Sequence, residues 1–120
     1  MAQENLAIQS AQPESGLRVI TLNGPLTLGT MFDFQTEVRR ESSDSLIVDL
    51  SAVPYMDSAG LGCLLGALAS CQRSQRGFAL AGACDRVLTL FHISGVEGMV
   101  PLHRSVDAAV DAVKARRAGA

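Results

Sequence analysis

Leu46-Ile47-Val48-Asp49-Leu50, followed shortly by Tyr55-Met56-Asp57-Ser58-Ala59-Gly60-Leu61-Gly62, is the stretch that decides the fold. The first run shows no polar alternation, the pattern of a central strand covered on more than one side. The second opens a segment with apolar residues at Leu61, Leu64, Leu65 and Leu68, which is helical spacing. Ser58 therefore falls where a buried strand ends and a helix begins. The first amides of a helix have no internal partner and carry partial positive charge. A phosphate at that point would be stabilised by free backbone N–H groups. Either Asp57 or Ser58 can serve as N-cap, a role worth about 1 kcal/mol. If Asp57 takes it, the Ser58 hydroxyl is left exposed. Gly60, Gly62 and Gly66 lie inside the same helix, where each costs roughly 1 kcal/mol against alanine. Gly66 reads as close packing on the sheet. Gly60 and Gly62 fit packing and the close approach of another backbone equally well.

Outward from this centre the chain alternates. Leu6 to Ser10 is a short strand candidate, and Leu17-Arg18-Val19-Ile20-Thr21-Leu22 a stronger, β-branched one ended by Asn23-Gly24-Pro25. Leu28, Met31, Phe32 and Val38 recur at helical spacing, and Glu41 to Ser45 reads as a connecting loop. Beyond the central helix, which ends over Gln72 to Gly77, Phe78-Ala79-Leu80-Ala81 is another buried run stopped at Gly82. Cys84 or Asp85 opens a helix through Val87, Leu90 and Phe91, with Gly95 as its C-cap. Met99-Val100-Pro101-Leu102 reads as an edge strand, where proline is tolerated. Ser105 caps a closing helix through Val106, Ala109, Val110 and Val113. The order β-β-α-β-α-β-α-β-α predicts an α/β fold. It is one domain over 1–120, with a mixed, mostly parallel sheet of four to five strands and about four helices. The opening strand pair adds an antiparallel edge, and the tail over 115–120 is expected to fray.

Composition narrows the function classes. The chain has 120 residues, of which 48% are apolar, enough for one core without disulfides or metals. Cys63, Cys71 and Cys84 form no CxxC, and their odd number argues against a disulfide framework. Net charge is −2 and aromatic residues are 4%, which speaks against direct nucleic-acid binding. Lys114, Arg116 and Arg117 read as cations at a helix C-terminus. No run reaches the roughly 18 apolar residues of a membrane span. Met1 to Asn5 lacks the basic segment of a signal peptide, so a cytoplasmic protein is expected.

Catalysis finds little support. The hydrolase elbow G-x-S-x-G has Met56 at its first glycine position, and neither His92 nor His103 has an evident acidic partner in sequence. Asp49 could suggest a phospho-aspartate receiver, but the early strand ends in Asn23-Gly24 rather than in acids that would hold a metal. P-loop, G-x-G-x-x-G and metal-ligand spacings are absent from the sequence.

Val48-Asp49-Leu50-Ser51-Ala52-Val53-Pro54-Tyr55-Met56-Asp57-Ser58-Ala59-Gly60-Leu61-Gly62 resembles the signature of STAS domains, most of all that of bacterial anti-sigma factor antagonists. The resemblance implies a partner-switching regulator of transcription that is not an enzyme. The residue matching Ser58 is the phosphorylation site in that family. The unmodified protein binds an anti-sigma factor of the GHKL serine-kinase type, and the phosphorylated form releases it. A PP2C-type phosphatase restores binding. ATP belongs to the partner, and no cofactor or metal is expected in this chain. Gly24, Pro25, Thr27, Met56, Asp57, Ala59 and Gly60 would line the docking face. One departure stands out. The family often carries Gly-Glu-Leu-Asp after the second strand, whereas this chain has Gly24-Pro25-Leu26-Thr27. The missing acid leaves open a STAS scaffold or adaptor, of the stressosome or lipid-transporter type, that Ser58 phosphorylation does not control.

Overall fold

The computed structural model describes residues 5–40 and 42–118. Four of the five N-terminal positions read above, Glu41 of the connecting loop and residues 119 and 120 of the tail lie outside the described residues, as do the side chains of Arg117 and Ala118. The elements are β1 (Ala7–Glu14), β2 (Leu17–Asn23), α1 (Met31–Arg40), β3 (Ser45–Ala52), α2 (Ser58–Arg73), β4 (Gly77–Ala81), α3 (Asp85–Ile93), β5 (Leu102–His103) and α4 (Val106–Ala118). They form the expected α/β domain. Its five strands lie in sequence order, β1-β2-β3-β4-β5. β1 is antiparallel to β2, and every later pairing is parallel.

The missing alternation in β3 has a direct cause. Leu46, Val48 and Leu50 face one cluster with Phe34 of α1, Leu64 and Leu68 of α2, and Val87 and Phe91 of α3. Ile47 faces the other side, with Ala109 and Val113 of α4. Three helices therefore cover one face of the sheet and α4 covers the other. Small residues on the α4 side of β4, Ala79 and Ala81, let that single helix come close.

Three elements differ from the sequence expectation. β1 runs on to Glu14, although almost all of it is exposed. Backbone pairing with β2 defines it, a signal that side-chain periodicity does not carry. β5 is only the pair Leu102–His103, and Val100 before it is buried in the core. α1 begins at Met31, after a turn in which the Thr27 carbonyl accepts from the N–H groups of Thr30 and Met31. Leu28 is thus outside the helix.

Candidate functional site

Two segments leave the C-terminal ends of β2 and β3 and stay paired. The Gly24 N–H donates to the Ala52 carbonyl at 3.0 Å and the Leu26 N–H to Tyr55 at 3.2 Å, while the Leu26 carbonyl accepts from the Asp57 N–H at 3.3 Å. Leu26 and Met56 form an isolated parallel bridge. Glycine is required at Gly24, whose φ is +128° and where a Cβ would lie 2.2 Å from the Asn5 carbonyl oxygen. It is required again at Gly60, where a Cβ would lie 2.1 Å from the Leu26 carbonyl oxygen. Close approach of another backbone therefore explains Gly60. Gly62 and Gly66 differ: a Cβ on either would meet nothing within 4 Å. Packing on the sheet, as read from sequence for Gly66, is not its reason, because the residue faces outward.

Asp57 is the N-cap of the 16-residue α2, in extended conformation with φ −101° and ψ −177°. Its Oδ1 accepts from the Gly60 N–H at 2.8 Å and its Oδ2 from the Leu28 N–H at 3.1 Å. One carboxylate thereby caps the helix and ties the loop after β2 to it. Ser58 is the first residue of α2 and is exposed. Its hydroxyl makes no hydrogen bond among the described residues, and the same holds for the N–H groups of Ser58 and Ala59. Asp57 does the capping, and the serine hydroxyl is left standing at the positive end of a helix dipole.

The dual role of Asp57 makes a testable pair. Asp57→Ala removes the cap, worth about 1 kcal/mol, and a hydrogen bond to an ionised acceptor of similar size or larger. A loss of about 2 kcal/mol is expected in urea unfolding, read as a lower midpoint at unchanged slope. Asp57→Asn keeps one acceptor oxygen for Gly60 and gives up the Leu28 tie, so it should lose about half as much.

The other expected site residues are distributed unevenly. Pro25 and Ala59 are half-buried, beside exposed Asp57 and Ser58. Thr27, Met56 and Gly60 are buried, with Thr27 only 5% and Met56 8% exposed. Thr27 shapes its loop from within. Its hydroxyl accepts from the Gly29 N–H at 3.2 Å, and its own N–H donates to the Thr30 hydroxyl at 2.9 Å. Two residues absent from the expected site are exposed on the segment that follows β2. Leu28 is 61% exposed on the turn that Asp57 holds, and Phe32 is 63% exposed on the first turn of α1. In the sequence both fall on a helical spacing, which does not say which way they face. The segment after β4 also borders the site. A Cβ on Gly82 would lie 2.9 Å from the Ser51 Cβ, the Cys84 thiol contacts the Val53 carbonyl at 3.5 Å, and the Arg86 guanidinium stacks 4.9 Å over the Tyr55 ring.

The arrangement offers a surface with an exposed serine hydroxyl at its centre. His92 does have an acidic partner, Glu97 at 2.6 Å, which sequence spacing did not reveal. Both side chains are exposed at the far end of α3, and neither histidine bonds the Ser58 hydroxyl. Among the described residues no three His, Cys, Asp or Glu side chains group as a metal site would require.

Similarity to known proteins agrees with this fold. An anti-sigma-B factor antagonist of Staphylococcus aureus is 26% identical over 106 residues, spanning 86% of this chain and 97% of that protein. The crystal structure of an anti-sigma factor antagonist from Mycobacterium paratuberculosis superposes with a TM-score of 0.83 at 22% identity, over 92% of this chain and 95% of that one. The Bacillus cell fate determinant SpoIIAA in its phosphorylated form superposes with a TM-score of 0.70 at 21% identity, over 89% and 99% of the two chains. The family model described as the STAS domain matches residues 9–109, and the chain belongs to that family.

Proposed function

We propose that this chain is an anti-sigma factor antagonist whose binding is switched by phosphorylation of Ser58. The observation that carries the reading is the exposed, unbonded Ser58 hydroxyl at the first turn of α2, left available because Asp57 caps the helix in its place. Leu28 and Phe32 give the surroundings apolar area of the kind a docking partner covers. The partner is an anti-sigma factor that is also a GHKL-type serine kinase, with ATP in its own site, and a PP2C-type phosphatase reverses the modification. The chain acts by binding and has no catalytic role. In this reading it works in the bacterial cytoplasm.

Phosphate adds about −1.5 to −2 charges and three acceptor oxygens at one point. The two free N–H groups at the start of α2 accommodate that charge, so the fold persists while the surface changes. Burying the same charge against a partner without compensation is strongly unfavourable. The protein isolated from its host during growth and during stress should carry a phosphate on Ser58 in a fraction that changes between the two, as mapped by peptide mass spectrometry. Complete absence of Ser58 phosphate in both states, with the partner bound throughout, would contradict the switch. It would favour a constitutive STAS scaffold, a reading to which the buried threonine at the family's acidic position also lends weight.

A further inference from the structure

α1 connects β2 to β3 and α2 connects β3 to β4, and those strands are parallel, so the two helices run in the same direction. Between them lies an open groove of about 420 Å³. Its floor is apolar, with Phe34, Cys63 and Ala67 buried beneath it. Burial also pushes the Cys63 thiol above its ordinary pKa of 9.0, against the weaker pull of a Gln35 hydrogen bond and the Arg39 charge. Gly62 and Gly66 form the α2 wall, one turn apart and without side chains. Nothing among the described residues occupies the space a methyl group would take there, yet each glycine costs about 1 kcal/mol in a helix interior. At the far end stand Arg39 and Arg73, in the last turns of the two helices. Both are exposed, and among the described residues neither side chain has an ion pair or a hydrogen bond. At the near end the groove reaches Ala59, next to Ser58.

From these observations we infer that the α1–α2 groove receives an amphipathic helix of the anti-sigma factor, with apolar residues facing the glycines and acidic residues at its N-terminal end beside Arg39 and Arg73. Deeper than the switch itself, the inference rests on the partner reading given above. From Ala59 to Arg73 the α2 wall spans roughly 21 Å at the helical rise, enough for about four turns of a guest helix. Bare glycines allow a helix backbone to come close, the common use of small residues at helix contacts. Direction follows from charge. Acidic residues suit a helix N-terminus, and that terminus is attracted to the C-terminal ends of α1 and α2. The guest therefore runs antiparallel to both. Its own C-terminus, with partial negative charge, then lies over Ser58, where a phosphate would repel it. Helix seating and serine switch become one device.

The test uses the full chain and the purified anti-sigma factor that Ser58→Ala retains from the host, with affinities measured by calorimetry. Gly66→Leu fills the groove, and Arg39→Glu with Arg73→Glu reverses its charged end. Both variants should melt no lower than wild type, because these positions face outward. Each should bind the anti-sigma factor at least tenfold more weakly. Binding of wild type should weaken as salt rises, whereas binding of the charge-reversed variant should not weaken and should improve. If both bind as wild type does while Ser58→Asp fails to bind, the groove inference is overturned and the switch stands. Loss of binding in the groove variants but not in Ser58→Asp would support the groove and overturn the switch. A wild-type dimer that Gly66→Leu converts to monomer, with anti-sigma affinity unchanged, would assign the groove to a second copy and overturn the inference.

Discussion

Ser58→Asp should weaken binding to the anti-sigma factor by roughly a hundredfold, about 3 kcal/mol, while leaving the fold intact. The two halves of this expectation have separate causes. On folding, the substituted residue stays exposed at the first turn of α2, where a carboxylate is favoured by the helix dipole. The thermal midpoint should therefore hold or rise slightly. On binding, the proposed partner would cover the same carboxylate without supplying a matching charge, and an uncompensated buried charge costs about 3–5 kcal/mol. Ser58→Ala should bind as the unmodified chain does, because the hydroxyl has no hydrogen bond to lose within the described residues. Calorimetry of the three proteins against one anti-sigma factor, with melting curves alongside, separates the effects. Equal affinities for Ser58→Asp and wild type would remove charge as the basis of the switch.

Gly60→Ala should be strongly destabilising. The added Cβ would sit 2.1 Å from the Leu26 carbonyl oxygen and 2.7 Å from its carbon. Both are backbone atoms, held by the hydrogen bonds of Leu26 to Tyr55 and Asp57. The clash can be relieved only by parting the β2–α1 loop from the start of α2. A loss of about 3 kcal/mol is expected, the upper range for overpacking, or roughly 10 °C in thermal midpoint for a chain of this size. Binding should weaken too, because Leu28 moves with that loop. Gly62→Ala and Gly66→Ala supply the internal control. Open space surrounds both positions, so each should gain about 1 kcal/mol from helix propensity. Three glycines in one helix thus carry opposite expectations, and melting curves of the three variants would show it. A Gly60→Ala protein as stable as wild type would mean that the Leu26 contact is not the constraint described.

Sequence pattern carried the centre of this molecule well. The unbroken Leu46–Leu50 run marked a strand with helices on both faces, and Asp57-Ser58 marked the start of α2. Both signals are local and physical: burial on two faces, and a cap beside an apolar period. Where the pattern failed, the deciding force was not local. β1 persists to Glu14 through backbone pairing with β2, with little side-chain burial to announce it. Leu28 and Phe32 fit a helical period, yet α1 starts only after the Thr27–Thr30 turn and both side chains stand exposed. Those two exposed side chains are the clearest part of the site that periodicity hid, because apolar spacing reports a face without saying which way it looks. The family resemblance puts Thr27 on the docking face, but the turn draws it inside. The glycines could not be sorted from sequence either, since propensity assigns Gly60, Gly62 and Gly66 the same penalty. Only the position of Leu26, supplied by a separate strand connection, distinguishes them.

The most direct test is a calorimetric titration of the purified anti-sigma factor with this chain in two forms, one unmodified and one carrying a single phosphate on Ser58. The unmodified form should bind tightly. The phosphorylated form should bind at least about a hundredfold more weakly while keeping the same melting curve. Equal affinity of the two forms would contradict the account, because the charge at Ser58 would then have no bearing on docking.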